Sequence, residues 1–271
     1  MDKDAAIGVF DSGFGGLTAV RELIKLLPGE DIIYFGDTGR VPYGSKSRET
    51  IQKYALQDSR FLLSMGVKYI IVACGTASAV AADTKEKLTV PMTGVVGPTA
   101  ADAARATKNG KIGVIATAAT VASHAYLKSV NEISPSAQVI EQACPLFVPM
   151  VEEGCVDRDD IVVKTMVERY LSGLKRAGVD TVILGCTHYP LLTDAIRDYM
   201  GAGIALINSG EQAAIYAKSE LERLELLSGK KSGGSTDFYL SDDTEKFGAL
   251  AEYYIGRHLD GRVERIDIEK Y

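Results

Sequence analysis

The stretch YIIVACGTASA at residues 69–79 decides the fold, because an apolar run of strand length ends just before Cys74 and small residues follow at once. The same arrangement recurs in TVILGCTHYPLL at residues 181–192, where Cys186 takes the equivalent place. Uninterrupted Val and Ile runs are typical of strands buried on both faces of a parallel sheet. Because ligands of such sheets bind just outside the carboxyl ends of the strands, both cysteines are predicted to lie at ligand-binding positions.

A thiol at a strand end lies next to the N-terminus of the following helix, where the backbone dipole favours the thiolate. Two thiols in matched settings therefore indicate a pair of acid/base groups that face a shared cleft. Taken singly, either cysteine would be interpreted as a small buried hydrophobe, the commoner role of a strand cysteine. Cys144 and Cys155 lack the strand-end setting and are interpreted as structural.

Apolar runs alternate with amphipathic stretches along most of the chain, which predicts an α/β protein with mostly parallel sheets flanked by helices. The predicted strands are Ala6–Phe10, Ile32–Phe35, Tyr69–Ala73, Met92–Val96, Lys111–Ala116, Gln138–Gln142, Thr181–Leu184, Ile204–Ile207 and Thr236–Leu240. The predicted helices are Leu17–Leu27, Arg48–Met65, Ala77–Leu88, Pro98–Thr107, Val121–Val130, Arg158–Ala177, Pro190–Met200, Glu211–Leu227 and Thr244–His258.

The two halves of the chain match in order. IGVFDSG, which begins at Ile7, parallels IGVIATAAT, which begins 105 residues later at Ile112, and the two strand-end cysteines are 112 residues apart. Nearly constant offsets indicate a duplication, hence two similar, pseudo-symmetric domains with facing strand ends and an active site in the cleft between them. We expect a first domain at residues 1–97 plus 209–271, completed by the C-terminal tail, and a second domain at residues 98–208.

Composition excludes several classes of function. The 271 residues are 46% hydrophobic and 24% charged, which is typical of a globular protein with a sizeable core. A net charge of -6, with no block of basic residues, argues against a nucleic-acid partner. No apolar run approaches the roughly 20 residues of a membrane span. The start, MDKDAAIGVF, lacks the regions of a signal peptide, and the four cysteines fit a reducing compartment, so we expect a cytoplasmic protein.

Polar residues follow the other strands of each half. Asp11 and Ser12 close the first strand, where Asp11 could contact a substrate ammonium or a thiol proton, although both residue types also favour turns and helix caps. A dinucleotide fingerprint fails here because Thr18 stands at its third glycine. The VPYG segment at residues 41–44 is a polar loop in which Gly44 allows backbone N–H groups to approach a carboxylate.

Thr117 and Thr120 occupy the corresponding place in the second half, where they could cap the next helix or contact a ligand. A lone histidine is more often a packed, hydrogen-bonded side chain than a catalyst, although the position of His188 at the same strand end as Cys186 favours a catalytic role. Glu152 alone would be interpreted as surface charge. Three scattered histidines and no CxxC pair give no familiar zinc spacing.

Together, FDSG at residues 10–13, VPYG at 41–44, ACGTAS at 73–78 and LGCTHYP at 184–190 resemble glutamate racemases. The resemblance runs from about Ile7 to about Asn208. It implies the interconversion of L-glutamate and D-glutamate, without pyridoxal phosphate or metal, to supply bacterial cell-wall peptidoglycan. It also implies a homodimer that binds a small-molecule substrate, glutamate. No nucleic acid or membrane is expected as a partner.

The resemblance assigns the two catalytic thiols to Cys74 and Cys186, a helper acid beside the first to Asp11, and helpers beside the second to Glu152 and His188. The substrate contacts that it implies are Asp11, Ser12, Tyr43, Gly44, Gly75, Thr76, Thr117, Thr120, Thr187 and His188. The chain departs from the family at Gly75, because the family usually has an Asn there whose amide helps to hold the substrate.

Three alternatives remain at this point. A racemase of aspartate or another amino acid would share the two thiols and differ in its pocket at Gly75. A non-catalytic regulator is a second alternative, because some racemase relatives inhibit DNA gyrase through protein contact. A thiol redox protein would form a reversible disulfide between Cys74 and Cys186.

Overall fold

A computed structural model describes residues 2–80, 88–245, 247–258 and 261–271 of the chain. The chain divides into two compact units, Met1–Val95 with Gly210–Tyr271 and Val96–Ser209. Within the described residues the strands, β1 to β10 in chain order, are Ile7–Asp11, Ile32–Gly36, Tyr69–Val72, Met92–Gly94, Lys111–Ala116, Gln138–Ala143, Thr181–Leu184, Ala205–Asn208, Thr236–Leu240 and Val263–Arg265.

The described α-helices, α1 to α11, are Leu17–Leu26, Arg48–Ser64, Gly75–Ser78, Val96–Ala106, Ala118–Ser123, Ala125–Ile133, Phe147–Glu152, Ile161–Ala177, Thr193–Met200, Ser209–Arg223 and Phe247–Ile255. Short 3-10 turns add Thr38–Arg40, Tyr43–Ser45, Tyr189–Leu192 and Ile268–Lys270. In the described part of the chain, no helix combines the length and apolar character needed to cross a membrane.

Each unit contains one parallel sheet, as predicted. The sheet of the first unit has the order β10-β9-β2-β1-β3-β4, and that of the second has the order β6-β5-β7-β8. Four strands of each sheet therefore follow one plan, in which the first strand lies between the second and the third. The C-terminal strands β9 and β10 extend the first sheet beside β2. This shared order supports the repeat that the sequence offsets indicate.

Register places the chemistry-bearing residues at one edge of each sheet. In the first unit, Phe10 pairs with Val72, so that Asp11 and Cys74 both follow the ends of neighbouring strands. In the second unit, Ile115 pairs with Leu184, and Thr117 and Cys186 follow in the same way. The prediction that both cysteines lie at strand ends is confirmed.

One predicted helix is divided into two in the observed fold. The predicted helix Val121–Val130 is wrong, because His124 adopts a left-handed conformation with φ of 53° and separates α5 from α6. Thr117 caps α5 through its side chain, so the helix begins earlier than the apolar pattern indicates. Of the predicted helix Ala77–Leu88, residues 81–87 lie outside the described residues.

A buried ion pair holds the start of the first sheet together. The Lys68 ammonium, just before β3, lies 2.5 Å from the Glu30 carboxylate, just before β2, and the two side chains are 0% and 3% exposed. Lys68 also donates to the Lys3 carbonyl, and the Ser228 N–H donates to the second Glu30 oxygen at 2.7 Å. Glu30 thereby ties the C-terminal tail to the strands of the first unit.

We expect Glu30→Gln to lower the free energy of unfolding by about 3–5 kcal/mol, because it leaves the buried Lys68 ammonium without an opposite charge. Urea denaturation followed by circular dichroism measures the change. Glu22→Gln is the matched control, since Glu22 pairs with Lys25, whose side chain is 60% exposed, and such surface pairs contribute about 1 kcal/mol or less. Equal losses in the two variants would contradict the prediction.

Candidate active site

In the first unit, a group of candidate functional residues surrounds Cys74 at the end of β3. Cys74 caps the short helix α3, and the Ala77 N–H donates to its Sγ at 3.4 Å. The thiol in turn donates to the Ser12 hydroxyl, with Sγ and Oγ 3.6 Å apart. Cys74 is 5% exposed. An N–H donor stabilises negative charge on the sulfur, so this environment suits a cysteine that alternates between thiol and thiolate.

Asp11 lies beside this thiol at the end of β1. Its Oδ2 accepts the Gly13 N–H at 3.2 Å, and the residue is 1% exposed. The Tyr34 hydroxyl donates to the Gly13 carbonyl at 2.6 Å, which fixes the turn that carries Asp11 and Ser12. Burial, and then the charges of Asp11, Tyr254 and Cys74, raise the pKa of Tyr34, so its phenol remains a donor.

Glycine is required where α1 begins, next to this turn. A Cβ at Gly16 would lie 2.5 Å from the Asp11 Cβ and 3.1 Å from Cε2 of Tyr34. A Cβ at Gly36 would lie 2.6 Å from the Gly13 carbonyl oxygen. The Asp11–Gly13 turn is therefore packed so closely against Gly16 and Gly36 that neither position has room for a side chain. This close packing holds Asp11 in place.

The VPYG loop lies close to Cys74 in the first unit. Its 3-10 turn, Tyr43–Ser45, packs against α3, which begins directly after Cys74. The Tyr43 side chain is 1% exposed and its hydroxyl contacts the carboxyls of Asp37 and Asp58. The Tyr43 phenol therefore anchors the loop.

In the second unit, another group of candidate functional residues surrounds Cys186 after β7. The Cys186 Sγ lies 3.8 Å from Nδ1 of His188, and Nε2 of His188 lies 3.1 Å from the Glu152 carboxylate. Glu152 is the last residue of α7, which sequence reasoning missed as a helix. His188 and Cys186 are buried, while the Glu152 side chain is 41% exposed. The structure therefore brings together three residues that the sequence separates by up to 36 positions.

This arrangement can move a proton. When Glu152 accepts a hydrogen from Nε2, Nδ1 of His188 becomes an acceptor directed at the thiol of Cys186. Transfer of the thiol proton to the imidazole creates a thiolate beside an imidazolium, whose positive charge the Glu152 carboxylate stabilises. The exposed carboxylate also provides contact with solvent, through which protons can be exchanged.

The remaining predicted residues lie close to these groups. Thr76 lies two residues after Cys74 and Thr187 directly follows Cys186, and both are buried at 3% exposure. Thr117 caps α5 by accepting the Thr120 N–H at 3.3 Å, and the two hydroxyls are 3.0 Å apart. The capping role that the sequence left open for Thr117 is thus present in the structure.

A further cysteine, Cys144, lies near Cys186. Cys144 is buried, and burial followed by the charge of Cys186 raises its pKa, so it remains a thiol. Its Sγ donates to the Gln142 carbonyl at 3.6 Å, and its own carbonyl accepts the Tyr189 hydroxyl at 2.9 Å. These contacts give Cys144 a packing role. All four cysteines lie in the described part of the chain, and none forms a disulfide.

Sequence reasoning missed Asp37 and Asp58, the buried carboxyls that contact Tyr43. The signal for Asp58 was present, because it falls at helical spacing with Ile51, Ala55 and Leu62, which form the buried face of α2. A carboxyl on an apolar face requires a partner. Within the described residues, no group of three or more His, Cys, Asp and Glu side chains is placed to hold a metal ion.

Comparison with known proteins gives consistent results. A curated glutamate racemase from Geobacter metallireducens is 44% identical over 265 residues, which cover 97% of each chain. A Francisella tularensis glutamate racemase, solved in complex with D-glutamate, is 38% identical with a TM-score of 0.91 and covers 99% of this chain and 100% of its own. A Thermus thermophilus glutamate racemase, in complex with β-chloro-D-alanine, is 43% identical with a TM-score of 0.89 and full coverage of both chains.

In each of the two parallel sheets, one strand is followed by a buried cysteine. Together with these similarities, this defines the protein as an amino-acid racemase, an enzyme of the isomerase class. The profile of the Asp/Glu/hydantoin racemases matches residues 7–217. The chain belongs to this Asp/Glu/hydantoin racemase family.

We expect Gly16→Ala to lower the free energy of unfolding by about 1–3 kcal/mol, because its methyl group would overlap the Asp11 Cβ and force the turn to move. Thermal unfolding measures this loss. Gly173→Ala in α8 is the matched control, since its added Cβ meets no described atom within 4 Å. Alanine there should stabilise the helix by up to about 1 kcal/mol. A Gly16→Ala protein as stable as the control would refute the close packing of Asp11.

Proposed function

We propose that this chain is a glutamate racemase that interconverts L-glutamate and D-glutamate through two cysteine bases. The observation that carries the proposal is the matched pair of thiols, Cys74 after β3 and Cys186 after β7, in two sheets of the same strand order. Each thiol has its own proton-handling neighbours. The relatives named above, glutamate racemases at 38–44% identity over nearly their full length, support glutamate as the substrate.

The chemical step transfers two protons. One cysteine, as thiolate, takes the α-proton of glutamate and becomes a thiol, and the electron pair of the C–H bond remains on the α-carbon. The other cysteine, as thiol, delivers its proton to the opposite face of that carbon and becomes a thiolate. The two cysteines thus exchange protonation states in each turnover, so that the product enantiomer can react in the reverse direction.

The neighbours of each thiol have distinct roles in this proposal. On the first side, the Ala77 N–H and the Ser12 hydroxyl stabilise the sulfur, and Asp11 receives the substrate ammonium or a thiol proton. On the second side, His188 exchanges a proton with Cys186 while Glu152 fixes the imidazole. General acid–base catalysis of this kind contributes about 10²–10⁴ in rate.

Stabilisation of the carbanion is the harder requirement, because the α-proton of an amino acid is very weakly acidic. Charge that develops on the α-carboxylate needs hydrogen-bond donors in place before the proton leaves. The donors that we assign are the hydroxyls of Thr76 and Thr187 with the backbone N–H groups at Gly44 and Gly75. One such donor contributes about 3–4 kcal/mol in enzymes that stabilise an oxyanion.

The biological setting follows from the family resemblance. D-Glutamate made by this reaction would supply peptidoglycan synthesis in the cytoplasm, and the enzyme would work as a homodimer without a cofactor.

Proton NMR in D₂O tests the function directly. With purified protein and L-glutamate, we expect the α-proton signal to disappear and D-glutamate to accumulate, as measured by chiral chromatography, and the same in reverse from D-glutamate. L-Aspartate is the matched control substrate, because it presents the same α-carbon on a side chain shorter by one methylene. Exchange with aspartate alone would assign a different amino acid, and no exchange with either would reject the racemase.

We expect Cys74→Ser and Cys186→Ser each to lower kcat for racemisation by at least about 100-fold, because each removes one of the two bases at nearly constant volume. The rate of optical rotation change from each enantiomer measures the loss. Cys155→Ser is the matched control and should retain the rate, because Cys155 contacts neither thiol in the described hydrogen bonds. Full activity in either active-site variant would exclude the two-base reaction.

We expect Gly75→Asn to lower KM for glutamate by about tenfold to hundredfold, because the added amide supplies a hydrogen bond of about 1.5–3 kcal/mol to a charged substrate. Steady-state kinetics measure KM, with Gly75→Ala as the control that adds volume without an amide. If the Asn and Ala variants behave alike, this chain holds its substrate without the contact that the family obtains from Asn.

A further inference from the structure

Four side chains of the first unit form a buried cluster beside the VPYG loop, which we call the loop anchor: Asp37, Arg40, Tyr43 and Asp58. Both carboxyls are 0% exposed, Tyr43 is 1% exposed, and the Arg40 side chain is 10% exposed. Two carboxylates with one guanidinium would leave a net negative charge in this interior, which is costly. The cluster therefore requires a particular distribution of protons.

Hydrogen-bond geometry defines that distribution. The Tyr43 hydroxyl contacts Oδ2 of Asp37 and, at 2.9 Å, Oδ2 of Asp58. A phenol has one hydrogen, so it can donate to only one of the two carboxyls. In the other contact, the Tyr43 oxygen must then accept the hydrogen bond. The donor in that contact has to be a protonated carboxyl.

Asp58 is the carboxyl that carries this proton. Asp37 accepts from Nε of Arg40 at 2.6 Å, from the Ser241 hydroxyl at 2.8 Å and from Tyr43, which is the donor set of an ionised carboxylate. Apart from its contact with Tyr43, the one hydrogen bond that Asp58 makes through its side chain to the described residues comes from Nη2 of Arg40, at 3.0 Å, on its Oδ1. Its Oδ2 is therefore the oxygen placed to donate to Tyr43.

Electrostatics agree with this assignment. The titratable groups that face Asp58 are Asp37, Arg40, Tyr43 and, at longer range, Asp11. Burial, and then the charge of Asp37, raise the pKa of Asp58 well above its usual range. Burial, and with it the charge of Asp37, also raises the pKa of Tyr43, so its phenol keeps its hydrogen.

We propose that Asp58 is a neutral carboxylic acid that donates to Tyr43, and that the resulting chain from Asp58 through Tyr43 to Asp37 positions the VPYG loop for substrate binding. In this role Asp58 is a positioning residue, which acts on the substrate through the backbone at Tyr43 and Gly44. The substrate part of the inference rests on the proposed function. The protonation of Asp58 and its effect on the loop do not.

The loop anchor connects four separate parts of the first unit. Asp37 follows β2, Asp58 lies on α2, and Ser241 follows β9 of the C-terminal tail. Nη1 of Arg40 donates to Gln57 at 2.6 Å and to Glu269, near the C-terminus, at 3.3 Å. The Val41–Gly44 segment is thus held on both flanks.

The anchored loop reaches the residues around the first thiol. A Cβ at Gly13 would lie 3.1 Å from the Val41 side chain, so this side chain covers the turn that carries Asp11 and Ser12. The Tyr43–Ser45 turn packs against α3 after Cys74. Displacement of the loop would therefore alter the walls of the binding site without removing either catalytic thiol.

Three variants separate the neutral acid from other roles of Asp58. In Asp58→Asn, the amide can donate to Tyr43 and accept from Arg40, so it reproduces the protonated acid. We expect its KM for glutamate to stay within about threefold of the original. Asp58→Ala and Tyr43→Phe should raise KM at least about tenfold with a smaller change in kcat. This is the pattern of a variant that loses binding energy common to the ground state and the transition state. Asp58→Asn with the KM of Asp58→Ala would overturn the proposal.

Asp180→Ala is the control for a merely structural carboxylate. Asp180 accepts from the Thr107 hydroxyl and from the N–H groups of Lys108 and Asn109, in the second unit and apart from the loop anchor. This variant should lose thermal stability and keep KM. If Asp58→Ala likewise loses stability alone, with KM unchanged, the positioning role is rejected.

Two measurements need no catalytic activity. Carbon-13 NMR of aspartate carboxyls in the unaltered protein should show a carboxyl that stays protonated near neutral pH, and its signal should be absent in Asp58→Asn. A spectrum in which every aspartate is ionised would overturn the proposal even if no variant folded. Amide hydrogen exchange of residues 38–46 should be faster in Tyr43→Phe and Asp58→Ala and unchanged in Asp58→Asn. Failure of glutamate racemisation would reject the proposed function and leave these two tests decisive for Asp58.

Discussion

The structure depends on the in-register pairing of parallel strands, because this pairing brings residues that are distant in sequence to one edge of a sheet. Phe10 opposite Val72 places Asp11 beside the end of the strand that precedes Cys74. Ile115 opposite Leu184 does the same for Thr117 and Cys186 in the second unit. A shift of register would break this juxtaposition even if every residue were retained. The apolar strands therefore fix the chemistry as well as the core.

The strands were the most predictable part of the molecule, since runs such as residues 69–72 and 181–184 are uniformly apolar and bounded by small residues. Helix boundaries depend on local contacts that composition does not show. Thr117 caps α5 and His124 ends it with a left-handed residue, so a continuous amphipathic pattern there is divided into two helices. The α/β class follows from periodicity, while these boundaries follow from single hydrogen bonds.

The candidate site residues also divide into those that the sequence pattern predicts and those that it does not. Cys74 and Cys186 could be predicted because each ends a strand, and their position needs no knowledge of other residues. The association of His188 with Glu152 followed from the family resemblance alone, because the residue pattern does not join residues 36 positions apart through a helix that it did not reveal. The buried carboxyl of Asp58 was hidden for another reason, since its partners lie on three other segments and its proton is invisible in a sequence.

The two thiols have equivalent places in the topology and unequal neighbours: a hydroxyl and an N–H for Cys74, an imidazole paired with a carboxylate for Cys186. Enantiomers have equal free energy in water, so the equilibrium constant of racemisation is unity and kcat/KM must be equal in both directions. The unequal neighbours of the two thiols can make kcat differ between the two directions of the reaction. KM must then differ between the two directions by the same factor. The enantiomer with the lower KM must therefore have the lower kcat, because the ratio of the two constants is fixed by the equilibrium.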